Sequence, residues 1–392
     1  MGTNGGEELT MIQFAANQHM HHITASDFSF DQTAEVRRLH RMLPVYAETP
    51  LARLNQSVYV KDESGRFGIK AFKGLGGIYA MFRMICREFS LNPLETTIDM
   101  LKESPFRDRI RSMEFVTTTD GNHGKGVSWA AGILGCRAHV YLPKGTVEAR
   151  AQAIRDAGNA DASITDLRYD DCVAWTMKLA EERGWYLIQD TSGPGYEEVP
   201  RWIMQGYTTL FYEAISQMKE RPTHIFLQAG VGALAGAIAA AAVETYPEHP
   251  PVIATVEPRE AACFYESFEK ADGLPHAAAG SGETIMAGLN CAVPCVLAWD
   301  ILNGCAMGGF VCDDEMACHG MRLLRKAGIT AGESGAVTAG LVDLLMRNPA
   351  YAEMRKQLHL NEDSVILLIN TEGDTDPENY QRIIAQADEA DS

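Results

Sequence analysis

Four short segments carry the side chains that could do chemistry. In Ala71-Phe72-Lys73-Gly74-Leu75-Gly76-Gly77 a lysine stands between an aromatic residue and glycines, where a helical pattern opens. A lysine desolvated there loses charge and becomes a nucleophilic amine; the bland alternative is an exposed helix-start lysine. In Thr117-Thr118-Thr119-Asp120-Gly121-Asn122-His123-Gly124, hydroxyls and backbone N–H groups at a helix N-terminus suit a carboxylate. Asp120 is either the cap of that helix or a general base beside the bound carboxylate.

The third segment is Gln228-Ala229-Gly230-Val231-Gly232-Ala233-Leu234-Ala235-Gly236. Its glycines let the backbone approach a phosphate at a helix N-terminus. Gly230, Gly232 and Ala235 also satisfy GxGxx(G/A), and Glu257 ends the next strand about twenty residues on, as a dinucleotide site requires. The position deep in the chain, well after the lysine element, argues for a monophosphate. The fourth segment, Asn370-Thr371-Glu372-Gly373-Asp374-Thr375-Asp376, follows an apolar strand. Thr371 can meet a ring nitrogen without delivering a charge; the alternative is an ordinary turn. Together these are the parts that hold pyridoxal phosphate and an amino acid: the aldehyde at Lys73, the phosphate at the Gly230 loop, the pyridine nitrogen at Thr371.

The elements that must position them alternate. SVYVKD, EFVTTT, RAHVYL, ASITDL, WYLIQD, THIFLQA, PVIATVEP and SVILLIN read as strands, with helical patterns of ten residues or more between most of them. That alternation predicts an α/β protein with parallel sheets covered on both faces and ligands at the carboxyl ends of the strands. We expect a smaller α/β domain over about residues 88–215, inserted into a larger one made from 1–87 and 216–392, with the cofactor in the cleft between them.

Composition narrows the partners. The chain has 392 residues, with 34 Lys+Arg against 52 Asp+Glu, a formal charge of −18. Such a balance argues against nucleic acid or an anionic membrane as the main partner, but not against a small anion in a pocket. No apolar run reaches the ~18 residues of a membrane span. The opening MGTNGGEELTMIQF lacks the basic and apolar regions of a secretion signal. Nine cysteines, an odd number without CxxC spacing, fit reduced thiols in cytoplasm. Cys291 and Cys295 have no matching second pair, and His19, His21 and His22 read as a solvated stretch, so no metal is expected.

The sequence resembles the tryptophan-synthase-β-like group (fold type II) of pyridoxal phosphate enzymes, and within it the diaminopropionate ammonia-lyases. TPLARL, VYVKDESGRFGIKAFKGLGGIYA, TTTDGNHGKGVSWAA, LIQDTSG, MQGYTT, QAGVGALAGA, ATVEP, IMAGLNC, GESGA and INTEGDTD match in order from about Phe28 to the C-terminal helix. The resemblance implies that Lys73 is the Schiff-base lysine and that Asn122 contacts the cofactor's ring hydroxyl. It places the phosphate on Gly230, Val231 and Gly232 with Ala229 and Ala233, and the pyridine nitrogen at Thr371. Asp120 and Asp190 match the acidic residues beside the substrate. It further implies a homodimer and α,β-elimination of D- and L-2,3-diaminopropionate to pyruvate and ammonia, with Asp120 and the freed Lys73 amine as proton acceptors on opposite faces.

Serine and threonine dehydratases usually have a small residue where Asp120 stands. A second substrate amine gives a carboxylate there something to pair with, and a hydroxyamino acid does not. The competing readings are a serine/threonine dehydratase or threonine-synthase-like enzyme, an NAD-dependent dehydrogenase built on the Gly230 loop, and a non-catalytic amino-acid or cofactor-binding protein.

Overall fold

The computed structural model describes residues 12–119 and 121–390. Asp120 and the first eleven residues lie outside the described residues. Among the described residues eleven strands form two sheets: β1 (Ile12–Ala16), β2 (Leu51–Arg53), β3 (Val58–Asp62), β4 (Glu114–Thr118), β5 (Arg137–Leu142), β6 (Ala160–Ile164), β7 (Tyr186–Leu187), β8 (His224–Gln228), β9 (Val252–Pro258), β10 (Ala306–Cys312) and β11 (Ile366–Asn370). One sheet has seven strands in the order β1-β10-β9-β8-β11-β3-β2, the other four in the order β6-β5-β4-β7. The smaller sheet is parallel throughout. In the larger, only β1 and β2, at the two edges, run antiparallel to their neighbours.

The buried runs HIFLQ and ILLIN form the centre of the larger sheet, as unbroken apolar strands do when both faces are covered. The sequence reading missed β1, β2 and β10. The first two are edge strands, β2 of only three residues and β1 (IQFAA) with little β-branched character, and β10 carries Gly308 and Gly309, which weaken any strand signal. WYLIQD forms only a two-residue strand, so Gln189 and Asp190 fall in the loop beyond it.

Eight helices bear on the site: α1 (Gly74–Glu88), α2 (Asn122–Leu134), α3 (Glu148–Ala157), α4 (Tyr169–Arg183), α5 (Glu198–Gln217), α6 (Ala233–Thr245), α7 (Cys263–Lys270) and α8 (Glu333–Arg347). Glycines let α1 nest against α2 and α5 at its first turn. A Cβ on Gly206 would stand 2.6 Å from Gly76 Cα, and one on Gly126 2.9 Å from the Lys73 carbonyl oxygen. These close approaches bring three helices together around the backbone of Lys73.

The segment entering α1 is anchored by buried charge. Arg66 Nε lies 2.7 Å from Glu63 Oε2, and its Nη2 lies 2.7 Å from Glu213 Oε2 on α5. Lys61 Nζ on β3 meets the same Glu213 oxygen at 2.9 Å, and the Tyr46 hydroxyl donates to Oε1 at 2.9 Å. Phe67, in a left-handed conformation at φ +52°, then stacks on Trp129 of α2 with ring centroids 4.4 Å apart.

Burial pushes the Glu213 carboxyl up, but Arg66 and Lys61 overcome it and hold the pKa down at about 2. A depressed folded pKa contributes stability that is present above the ordinary value of 4.5 and is lost as pH falls toward 2. Glu213→Ala, which leaves Lys61 with no carboxylate, is expected to cost ~3–5 kcal/mol in urea unfolding at neutral pH. The deficit should shrink on acidification, and a loss independent of pH would show that the carboxylate is not carrying charge.

Candidate active site

The strand-end segments converge. Lys73, Thr118, Thr119, Gly121, Asn122, Asp190, Gly230, Val231, Gly232, Ala233 and Thr371 all line one cavity of about 900 Å³ at the carboxyl ends of strands from both sheets. Ala229 is buried behind it, its N–H bonded to Val256 O at 3.0 Å.

Lys73 immediately precedes α1, and its Nζ lies 2.5 Å from Asp190 Oδ2, the Asp190 side chain being only 6% exposed. Burial alone would lower the lysine pKa, but Asp190 raises it above the ordinary value. Burial would likewise raise Asp190, and the Lys73 ammonium holds it well below the carboxylate range. The lysine is therefore charged and paired, which corrects the expectation that desolvation alone neutralises it. The partner comes from 117 residues away.

The Gly230 loop leads directly into α6, and no side chain caps that helix. Its first N–H groups and the positive end of its dipole are left for an anion. Gly232 has φ +89°, and a Cβ there would lie 2.2 Å from Phe264 Cζ; a Cβ on Gly230 would lie 3.0 Å from Cys291 Sγ. Only glycine forms this cradle.

At the opposite end, Gln228 Nε2 donates to Ile369 O at 2.8 Å, Ser334 O at 3.2 Å and Thr371 Oγ1 at 3.3 Å. Facing three acceptors fixes the orientation of this amide, and it leaves the Thr371 hydroxyl free to donate its own hydrogen into the cavity. Glu372, also buried, accepts from Asn122 Nδ2 and from the Ser334 N–H at 3.1 Å. It spends one of the two amide hydrogens of Asn122 and orients the other.

The carboxylate loop is partly self-satisfied. Thr119 Oγ1 accepts from the N–H groups of Gly121 at 2.9 Å and Gly124 at 3.1 Å. Thr118 Oγ1 turns to α4, donating to Thr176 Oγ1 at 2.7 Å. Sequence reasoning gave no role to Gln228, Glu372, Ser334, Cys291, Tyr207 or His123. For His123 and Glu372 the available signal was adjacency to Asn122 and Thr371.

Glu257 answers the dinucleotide question. It is fully buried, accepts the N–H groups of Phe264 at 2.8 Å and Tyr265 at 2.7 Å at the start of α7, and does not line the cavity, so it is out of reach of a ribose there. Burial raises its pKa to about 8. Among the described residues no group of three or more His, Cys, Asp or Glu is placed to hold a metal ion, no helix is long and apolar enough to cross a membrane, and all nine cysteines are free.

A lysine inside the cavity, an uncapped glycine cradle for phosphate and a neutral hydroxyl for a ring nitrogen fit pyridoxal phosphate. Comparison with known proteins agrees. The family described as "Pyridoxal-phosphate dependent enzyme" matches residues 42–372. The diaminopropionate ammonia-lyase of Salmonella typhimurium is 44% identical over 368 residues, covering 89% of this chain and 91% of that protein. Crystal structures of the Escherichia coli diaminopropionate ammonia-lyase with D-serine and with an aminoacrylate-PLP azomethine reaction intermediate align with TM-scores of 0.89 and 0.87. Both are 40% identical and cover 96% of this chain and 97% of theirs.

Gly232→Ala is expected to weaken cofactor binding by about tenfold or more, since the displaced loop loses at least one good N–H contact to phosphate. Equilibrium dialysis followed by the visible absorbance of the retained cofactor measures this. Unchanged affinity in a folded variant would remove the loop from the phosphate site.

Proposed function

The chain belongs to the diaminopropionate ammonia-lyase family of pyridoxal-phosphate-dependent enzymes, and from that premise we propose that it eliminates ammonia from D- and L-2,3-diaminopropionate, leaving pyruvate and a second ammonia after hydrolysis. The observation that carries this reading is the pairing of Lys73 with Asp190 inside a cavity that also holds the α6 N-terminus and Thr371.

Bound pyridoxal phosphate supplies the aldehyde carbon and the electron-withdrawing ring on which the elimination depends. The protein's part is binding and proton traffic. The N–H groups of Gly230 to Ala233 hold the phosphate, and Thr371 donates a neutral hydrogen bond to the ring nitrogen. Asn122, steadied by Glu372, reaches the ring hydroxyl. Thr118, Thr119 and Gly121 shape the place for the substrate carboxylate at the N-terminus of α2, with the Thr118 hydroxyl itself turned to Thr176, and Asp120 of the same motif serves the substrate's amine and α-proton, not its carboxylate. Asp190 holds Lys73 Nζ in place, and a carboxylate beside the substrate pairs with its second ammonium. Asp120 takes the α-proton of one enantiomer and the Lys73 amine that of the other, on opposite faces. The support for Asp120 is the family motif and the second amine of the substrate.

The proposal extends to the assembly and the cell. The boundaries near residues 88 and 215 delimit a piece that closes over substrate; all four strands of the smaller sheet lie between them, although α5 runs continuously across residue 215. A homodimer, a cytoplasmic location and a role in amino-acid catabolism rest on the family resemblance and the reduced-thiol composition.

Ammonia and pyruvate release from D- and L-diaminopropionate should exceed that from serine, and the reverse order would make this a hydroxyamino-acid dehydratase. Lys73→Ala should abolish the protein-linked chromophore and turnover of both enantiomers. Asp120→Asn should lower kcat by about 10²–10⁴-fold on one enantiomer and spare the other. Equal losses on both would remove the two-face assignment.

A further inference from the structure

His123, the second residue of α2, is 4% exposed, and half of its ring is unaccounted for. Nε2 lies 2.9 Å from the Ile188 carbonyl oxygen, which can only accept, so Nε2 carries the hydrogen. Nδ1 is then a bare lone pair, buried and without a partner. It lies 3.8 Å from Asp190 Oδ2, the oxygen that binds Lys73 Nζ at 2.5 Å. Two acceptors facing each other in a buried site leave a place for one proton. The other titratable groups here are Lys73 at the start of α1, the Cys291 thiol that faces it, Tyr196 beside Asp190, whose hydroxyl donates to Leu187 O, and Tyr207 from α5, whose hydroxyl is buried and unpartnered; burial raises the pKa of both tyrosines and keeps them neutral. Burial lowers the pKa of His123, so the ring is neutral while Lys73 is charged.

Lys73 must give up a proton before its nitrogen can act as nucleophile or base. We propose that His123 holds that proton, receiving it from Lys73 by way of Asp190. One N–H bond of Lys73 breaks, Asp190 Oδ2 relays the proton, and an N–H bond forms at His123 Nδ1. The charges on Lys73, Asp190 and His123 pass from +1, −1 and 0 to 0, −1 and +1, so the buried cluster stays neutral and no ion has to cross into water. The imidazolium has both hydrogens partnered, Nδ1–H with Asp190 and Nε2–H with Ile188 O. The 3.8 Å gap must shorten by about 1 Å for that bond, within the reach of a side-chain adjustment. His123 is thus a proton-holding and positioning residue that does not touch substrate. The inference rests on Lys73 being the reactive amine.

The test uses cofactor-free full-length protein labelled with ¹⁵N-histidine, the His123 signal being the one missing from His123→Gln. In the native protein His123 should be the neutral Nε2–H tautomer at pH 7. In Lys73→Ala, with Asp190 deprived of its cation, it should be an imidazolium with its pKa raised by about two units. Lys73→Met, which keeps the aliphatic stem, replaces Lys73→Ala if that variant does not fold. A neutral His123 between pH 6 and 8 in the folded lysine variant would overturn the proposal, because Asp190 would then have taken the proton itself. In a second arm the rate of chromophore formation on adding pyridoxal phosphate is followed against pH. Loss of His123 should move its midpoint upward while sparing the plateau at high pH. A histidine that only packs would lower the rate at every pH, and that result would also overturn the proposal. The NMR arm needs neither cofactor nor substrate, so its failure is distinguishable from failure of the elimination assay.

Discussion

The ion pair between Lys73 and Asp190 ties the site together. Lys73 follows a strand of the seven-stranded sheet and Asp190 follows one of the four-stranded sheet, so the contact joins the strand ends of both across one cavity. Two charges removed from water repay the desolvation only when their geometry is good, and a separation of 2.5 Å meets that condition. The pair keeps the Lys73 amine charged inside the cavity, where the proposed function needs it to meet a carbonyl. On the proposed reading, chemistry begins with a proton transfer inside that closed electrostatic unit.

That geometry depends on backbone approach more than on side-chain fit. Where α1 opens, Gly76 meets Gly206, and Gly126 abuts the Lys73 carbonyl, so a methyl group at any of the three would push a helix away from the lysine. The same economy appears at the Gly230 loop, where Gly232 yields its Cβ space to Phe264. The charged network of Lys61, Glu63, Arg66 and Glu213 then fixes the segment that delivers the lysine. A net charge of −18 does not oppose anion binding, because the field that matters is the local one of an uncapped helix N-terminus.

Glu257 shows how one pattern can fit two chemistries. The glycine spacing and the acidic residue at the end of the next strand are both present, but the carboxylate is spent on the N–H groups of Phe264 and Tyr265. Capping a helix and binding a ribose call for the same residue at the same place, and only the acceptor's partners tell them apart.

The order of strands and helices, and the identity of the residues at the strand ends, could be read from the chain because periodicity and glycine placement are local properties. Lys73, the Gly230 loop and Thr371 were legible on that basis, and Asp190 through its motif. The edge strands β1 and β2 were not, since IQFAA has little β-branched character and the three residues of β2 leave almost no pattern. The protonation of Lys73, the clamp of Glu372 on Asn122, the tautomer of His123 and the capping role of Glu257 were decided by tertiary structure. Each depends on a partner's atom within a few ångströms, and for Lys73 and Asn122 that partner lies more than a hundred residues away in sequence. Residue types limit which interactions a chain can make, and folding decides which of them are made, because a charge or a hydrogen bond takes its energy from distance in space.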